Sequence, residues 1–554
     1  MKWPRLMAVT LMALAAVSRV HAQTPDSAGA LYIIRYDHWT EADEHDYSRF
    51  VASIGNSACW SVNDCLHGPG NWFRASDPPD YIFHFDCADL GYVLRAYYAW
   101  KRGLPFSFES GVAPRGPSDD IRYSPEGNRV TGRIDVLNGS MTGYHLLDLL
   151  RDAVSTASYR IHPDLEKPLE QDFYSPSIAP GSIRPGTLIY DPTGHVATVY
   201  RIDPDGQIYF FDGHPDFSVW HSFYDKRFAR ERPAAGAGFK NWRPVRLVGA
   251  VRRADGALIG GHMVLDENKD IPDFSGEQYY GNAAPRPADS VWQGGQFALN
   301  GETLDYYDYV RAKMAGGQLL FDPVKEVRAM VQSNCADLQY RVDAVNLAIA
   351  TGIEKKPEPE RLPRNIYGTD GEWEIFSTPS RDARLKTAFK ELRDMVERFM
   401  TMERKHDPKL VYAGHDLASD MLRAYEEQAA LCKLSYTRSD GSVVRLTYQD
   451  AEARLFFMSF DPYQCVELRW GARDPAELST CADGEDKRAW YGAERALRNQ
   501  LDRTYDARMD FTREELLTPG PGKGVDFAPF IDVRDYLESM GAVWPGGVAS
   551  STGR

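Results

Sequence analysis

Three side chains of types that act together in nucleophilic catalysis stand out in this sequence: Cys87, His195 and Asp212. A cysteine nucleophile needs an imidazole that removes the thiol proton and later protonates the leaving amine, and a third polar group that orients the imidazole. Whether the three residues form such a set depends on the elements that position them.

Cys87 stands at the junction of two segments. It follows the aromatic run 81–86 and opens a largely apolar stretch that ends at Trp100. This order predicts a short strand that delivers the thiol to the first turn of a helix. The N–H groups and the dipole of a helix start stabilise negative charge, so we expect the pKa of the Cys87 thiol to be lowered there.

His195 begins a predicted strand over 195–202. The sequence 203–206, Asp-Pro-Asp-Gly, predicts a turn into a second strand over 207–212. If Ile202 opposes Gln207, then Asp212 lies opposite Ala197 and diagonally beside His195. A slip of one residue would place Asp212 on the other face of the sheet.

Other residues compete for these roles. In the same register His214 lies directly opposite His195, which makes it the alternative third residue. His84 and Asp86 are close to the thiol in sequence and are candidates for supporting roles beside it. Taken alone, His195 is more typical of a turn histidine and Asp212 of a strand-end cap, because single-residue motifs have many false positives.

The remaining six cysteines suggest three disulfides. Cys59 and Cys65 flank a short loop, Cys465 and Cys481 flank another, and Cys335 and Cys432 lie on separate predicted helices. This pairing leaves Cys87 free, although sequence alone does not determine connectivity. A bond between Cys87 and any of the other six would remove the nucleophile.

The N-terminus and the charge indicate where the protein acts. Residues 1–22 have the charged, apolar and small-residue order of a cleaved signal peptide, so we expect an exported protein, periplasmic or secreted. No later stretch has the ~20 apolar residues of a membrane span. A net charge of −15 argues against nucleic acid as a partner.

A chain of 554 residues exceeds the usual size of one hydrophobic core. After the signal peptide we predict a mixed α+β domain over 30–250, a loop-rich linker over 251–300 and a mainly helical domain over 301–545. Residues 546–554 are expected to form a disordered tail. Within the first domain, 103–143 are rich in Gly, Pro, Ser and Asp and predict a long loop beside the site.

Two motifs carry a resemblance to known enzymes. The run 86–90, Asp-Cys-Ala-Asp-Leu, resembles the nucleophile helix of NlpC-type cell-wall peptidases. The segments 185–190 and 194–197 resemble the paired strands of the cysteine- and histidine-dependent amidohydrolase/peptidase (CHAP) family. The resemblance covers 30–250 and implies a papain-like core, with a nucleophile helix packed on an antiparallel sheet. It also implies hydrolysis of amide bonds, often in peptidoglycan, with no metal or organic cofactor.

The leading hypothesis is therefore an exported cysteine amidohydrolase or peptidase that acts on a peptide or peptidoglycan-like substrate. Cys87 would be the nucleophile, His195 the base and then the acid, and Asp212 or His214 the orienting group. The Cys87 N–H would contribute to an oxyanion hole. Two alternatives stay open: a transglutaminase-like protein with the same Cys–His–Asp order, and a non-catalytic binding or assembly protein that keeps the fold.

Overall fold

The computed structural model describes residues 30–57, 59–164, 171–369, 371–376, 379–502, 507–518 and 520–543. The predicted signal peptide over 1–22 and the predicted tail over 546–554 lie outside these residues. The described chain is a mixed α/β structure with a central antiparallel sheet and a helical C-terminal part.

The N-terminal part contains four helices and a hairpin around that sheet. The helices are α1 (Glu41–Gly55), α2 (Val62–His67), α3 (Cys87–Arg102) and α4 (Gly143–Ala153). The hairpin consists of β1 (Phe106–Pro114) and β2 (Asn128–Val136). Thr40 and Asp43 form a capping box that starts α1, as a Thr followed three residues later by an acidic residue favours.

The central sheet has six antiparallel strands in the order β3-β8-β4-β5-β6-β7. Their bounds are β3 Phe173–Tyr174, β4 Leu188–Asp191, β5 His195–Ile202, β6 Ile208–Gly213, β7 Val219–Phe223 and β8 Gly238–Trp242. Helix α3 packs on this sheet closely enough that a Cβ on Gly91 would lie 2.8 Å from the Leu188 side chain. All residues from Ala88 to Trp100 are buried, so α3 forms the centre of the N-terminal core.

The register between β5 and β6 differs from the predicted one at the turn and agrees with it at the other end. Ile202 opposes Ile208, not Gln207, and the ladder then shifts by one residue at Tyr200. Beyond this β-bulge Thr198 opposes Phe211, which is the predicted register. A bulge inserts one unpaired residue into one strand, so the two offsets cancel before the ladder reaches His195.

Two predicted segments differ from the structure. Residues 81–86 pair with no strand among the described residues, so the segment before Cys87 is extended but is not part of a sheet. The predicted loop over 103–143 instead holds the hairpin β1–β2. The Gly111/Gly132 pair lies between two register shifts that interrupt this ladder.

The predicted linker over 251–300 is an ordered segment of short elements. It contains β10 (Val251–Arg252), β11 (Leu258–Ile259), β12 (His262–Leu265), α5 (Glu277–Tyr280) and β13 (Phe297–Leu299), which pairs with β14 (Glu302–Leu304). Strand β12 pairs with β9 (Val245–Val248), and Met263 packs in the N-terminal core.

The C-terminal part consists mostly of helices. They are α6 Tyr306–Met314, α7 Pro323–Thr351, α8 Glu372–Phe376, α9 Pro379–Arg404, α10 Leu417–Ala429, α11 Tyr448–Arg454, α12 Val466–Arg469, α13 Pro475–Leu478, α14 Glu485–Ala493, α15 Arg495–Arg498, α16 Arg513–Leu517 and α17 Val533–Val543. One hairpin, β15 (Leu434–Thr437) and β16 (Val443–Leu446), interrupts them. Helix α7 lies against β7, where Ser333 is 2.9 Å from Ser222 and accepts a hydrogen bond from Arg227.

Three disulfides connect the six other cysteines in the pairs that the sequence suggested: Cys59–Cys65, Cys335–Cys432 and Cys465–Cys481. Cys87 is free. Three disulfides are compatible with an exported protein, because such bonds persist in oxidising compartments. Among the helices of the described ranges, none combines the length and the apolar character that crossing a membrane requires.

The Cys335–Cys432 bond joins α7 to the end of α10 across 97 residues, whereas Cys465–Cys481 closes only 16. Chain-entropy arguments give about 5 kcal/mol for the long loop and about 3 kcal/mol for the short one. We therefore expect Cys335→Ala/Cys432→Ala to lose more free energy of unfolding than Cys465→Ala/Cys481→Ala, as measured by urea denaturation of the full chain. An equal or reversed loss would show that native-state contacts, not loop closure, determine the effect.

Candidate functional site

His195 and Asp212 meet at the end of the β5–β6 ladder. The ring Nε2 of His195 forms a hydrogen bond with Oδ2 of Asp212, and both side chains are largely buried. The predicted diagonal placement of the two residues is thus what the structure contains. With Nε2 bound to the carboxylate, Nδ1 is the ring nitrogen left to exchange a proton.

The Cys87 thiol lies beside this pair. Cys87 is the first residue of α3, and the backbone N–H of Val196, the residue after His195, is close enough to the thiol to act on its pKa, which it lowers. At the end of β6, a Cβ on Gly213 would lie 3.1 Å from the backbone of Asp86. The absence of a side chain at Gly213 therefore lets the strand that carries Asp212 touch the start of α3.

The expected lowering of the thiol pKa is not found. Burial raises the pKa of the Cys87 thiol well above its ordinary value, and the negative charge of Asp86 adds to this. Asp86 is the N-cap of α3, and its carboxylate accepts the N–H groups of Ala88 and Asp89. The Asp86 carboxylate thus already offsets the positive end of the helix dipole. The Cys87 thiol therefore keeps its proton in the resting protein.

Asp212 and His214 both have pKa values below their ordinary ones. Burial acts to raise the pKa of Asp212, but His195 and His214 outweigh it and hold that pKa below the ordinary value. Burial lowers the pKa of His214 to about 4. Asp212 is therefore ionised and His214 is neutral near pH 7, so the charged partner of His195 is Asp212.

The alternative third residue, His214, is close to the pair but is placed differently. Its Nε2 lies 3.6 Å from Oδ2 of Asp212, beyond hydrogen-bond length. Its ring stacks on that of His195 with centroids 5.6 Å apart. It therefore packs against the imidazole face, whereas Asp212 bonds the imidazole edge.

Of the two candidates for supporting roles, only Asp86 contacts the start of the helix, as its N-cap. His84 is exposed, and its ring stacks on Phe217 at 4.6 Å. Phe217 is in the turn after β6 and has φ 66°, a backbone conformation that is costly for an aromatic residue. The Phe217 carbonyl accepts the N–H of Val62 in the loop closed by Cys59–Cys65. That disulfide loop thus supports the turn that follows Asp212.

A cavity of about 120 Å³ opens beside His195 between the sheet and the helical part. The sheet contributes His195, Asp212, His214 and Trp220, and the helices contribute Tyr340 from α7 and Arg384 from α9. The Tyr340 ring lies 4.7 Å from that of His214. The sequence did not predict that helices α7 and α9 form one side of this cavity. No local pattern connects residue 340 or 384 to a strand more than 100 residues earlier.

One set of potential metal ligands occurs among the described residues: Cys465, Cys481 and Asp483. The two sulfurs are bonded to each other, and Asp483 accepts the N–H of Cys465. A disulfide does not supply the thiolates that metal binding requires, so these residues do not fit a metal ion.

No family model, no curated protein and no solved structure matches this chain. The resemblance to the NlpC and CHAP enzymes therefore depends only on the sequence motifs around Cys87 and His195.

Asp86→Asn tests the electrostatic effect of the cap on the thiol. Asn is as good an N-cap as Asp, so α3 should keep its start while the negative charge is lost. We expect the thiol pKa to fall and the pH profile of Cys87 alkylation to shift to lower pH. Asp80→Asn, an exposed change in the same segment, is the control. An unshifted profile in Asp86→Asn would show that burial alone sets the pKa.

The pKa of His214 predicts a loss of stability in acid. Because its folded-state pKa of about 4 is below the unfolded value of about 6.5, the unfolded chain binds the proton first. The free energy of unfolding therefore has its full value above pH 6.5. It falls as the pH decreases toward 4, by about 2 kcal/mol between pH 7 and pH 5. In urea unfolding, the free energy of His214→Gln should fall by that much less over this range. The same loss in both proteins would contradict the assignment.

Proposed function

We propose that the chain is an exported cysteine amidohydrolase or peptidase with a papain-like catalytic core. Cys87 is its nucleophile, His195 its base and acid, and Asp212 the group that orients His195. The observation that carries the proposal is the joint arrangement of the three. The Asp212–His195 hydrogen bond is on adjacent strands, and the free thiol is close to the N–H of Val196, the residue next to that histidine, and feels the charge of Asp212.

The reaction follows from the protonation states. As the sulfur attacks the amide carbonyl carbon, the thiol proton passes to Nδ1 of His195, and Asp212 stabilises the imidazolium. The carbonyl π electrons move to oxygen to give a tetrahedral oxyanion. On collapse the C–N bond breaks, and His195 returns its proton to the leaving amine. Water then attacks the thioester with His195 again as base, which releases the acid and restores the thiol.

The helix start also supplies an oxyanion donor. Asp86 accepts the N–H groups of Ala88 and Asp89, whereas the N–H of Cys87 has no acceptor within the described part of the chain. A backbone N–H on the nucleophile itself is well placed to stabilise the oxyanion. The Asp86 cap thus binds the N–H groups of Ala88 and Asp89, and the N–H of Cys87 stays available for the oxyanion.

A raised thiol pKa favours general-base activation over a resting thiolate–imidazolium pair. Such a thiol reacts only as fast as the neighbouring base removes its proton. When the Nε2–H of His195 donates to Asp212, Nδ1 of the neutral imidazole is the ring atom that can accept that proton. Peptidoglycan peptides are the substrates that the family resemblance suggests, and the cavity that His195 and Asp212 line has room for one side chain of such a peptide.

Alkylation of the native full chain with iodoacetamide tests the nucleophile. We expect modification at Cys87, identified by peptide mass mapping, and a rate at pH 7 that falls about tenfold or more in His195→Ala because the base is lost. His145→Ala, on the exposed start of α4, is the matched control. An unreactive Cys87, or equal rates in the two histidine variants, would contradict the proposed mechanism.

Release of soluble peptide from purified peptidoglycan tests the substrate. The wild-type chain should release it, Cys87→Ser should be inactive, and Asp212→Asn should retain a rate lower by about 10²–10⁴-fold, since the imidazole loses its orienting charge. Activity in Cys87→Ser would exclude Cys87 as the nucleophile. A reactive Cys87 without peptide release would instead favour a different amide substrate.

A further inference from the structure

The cavity beside His195 has an excess of positive charge. Its walls include five arginines against three aspartates: Arg227, Arg341, Arg381, Arg384 and Arg469. The whole chain, by contrast, has a net charge of −15. The cavity is thus a positive site in a negative protein, and such a site attracts anions when low-dielectric walls focus its field.

Two of these arginines are buried with a donor unused. Arg341 is 6% exposed; it pairs with Asp382, yet its Nη1 has no partner within the described ranges. Arg469 is 2% exposed; its Nε donates to the Ser459 carbonyl, yet its Nη1 is also unpartnered there. Unsatisfied buried donors of charged groups are rare and costly, so two on one cavity indicate a missing acceptor.

Arg384 is half-buried and forms neither a hydrogen bond nor an ion pair with any described residue. Arg384 lines the same cavity as Asp212 and His214, and its positive charge lowers the pKa of both groups.

We propose that this cavity binds a carboxylate of the substrate, and that Arg384 is a specificity-determining residue for it. The inference rests on the proposed function, because it names the substrate class of the same site. The substrate is then an amide whose neighbouring residue has a free carboxylate, as in an acidic peptide. The planar guanidinium fork matches a carboxylate bidentately. A cavity of about 120 Å³ has room for one such side chain.

Binding of N-acetylglutamate and its uncharged analogue N-acetylglutamine to the full chain tests this proposal by calorimetry. We expect N-acetylglutamate to bind at least about tenfold tighter than N-acetylglutamine and to slow Cys87 alkylation. Arg384→Gln should remove that preference, and Arg384→Lys should restore part of it. Arg445→Gln, an exposed change on β16, should leave it unchanged.

Three outcomes would overturn the inference: equal binding of the two probes, an unchanged preference in Arg384→Gln, or tighter binding of inorganic phosphate than of N-acetylglutamate. These outcomes are independent of the proposed function, which depends on His195-dependent alkylation of Cys87. If N-acetylglutamate binds through Arg384 but Cys87 is unreactive, the anion site stands and the enzyme assignment fails.

Discussion

The candidate site depends on the hydrogen bond between His195 and Asp212, and that bond depends on the register of β5 and β6. Next to the turn, the two strands pair one residue out of the register that brings Asp212 beside His195. The bulge at Tyr200 restores that register. The bulge in turn requires a glycine, because a Cβ on Gly55 would lie 2.3 Å from the Tyr200 Cβ. The end of α1 thus helps to fix which face of the sheet carries Asp212.

Burial has two opposite effects at this site. It keeps α3 rigid and brings the thiol to the strands, but it also stabilises the neutral thiol over the thiolate. The cap residue Asp86 adds to that effect, since the same negative charge that starts the helix disfavours a second one on Cys87. If Cys87 acts as proposed, its proton must pass to His195 before the sulfur becomes nucleophilic.

The sequence predicted the local parts of this arrangement well. Thr40 as an N-cap, the helix that begins at Cys87 and the disulfide pairs all follow from signals within a few residues or from counting. The side-by-side placement of His195 and Asp212 was predicted through a turn register that is wrong at Ile202 and was compensated by an unforeseen bulge. The thiol pKa was predicted in the wrong direction, because a helix-dipole argument neglects burial and the cap's own charge.

The rest could not be predicted from local patterns. Tyr340 and Arg384 reach the site through the packing of α7 and α9 on the sheet, which no spacing within those helices encodes. The hairpin over 106–136 was not predicted, because its glycines are typical of loops. In the structure these glycines lie in a bulged strand ladder. Long-range packing thus determines what surrounds Cys87, His195 and Asp212, whereas local patterns were enough to single these residues out as candidates.

The most direct test of the central claim is whether Cys87 forms an acyl intermediate that His195 controls. Treatment of the full chain with p-nitrophenyl acetate, followed by rapid-mixing absorbance and intact mass, reports both steps. The account predicts a burst of one equivalent of nitrophenolate and an acetyl group on Cys87. The burst should be absent in Cys87→Ser and much slower in His195→Ala. A burst of equal rate in His195→Ala, or acetylation elsewhere than Cys87, would contradict it.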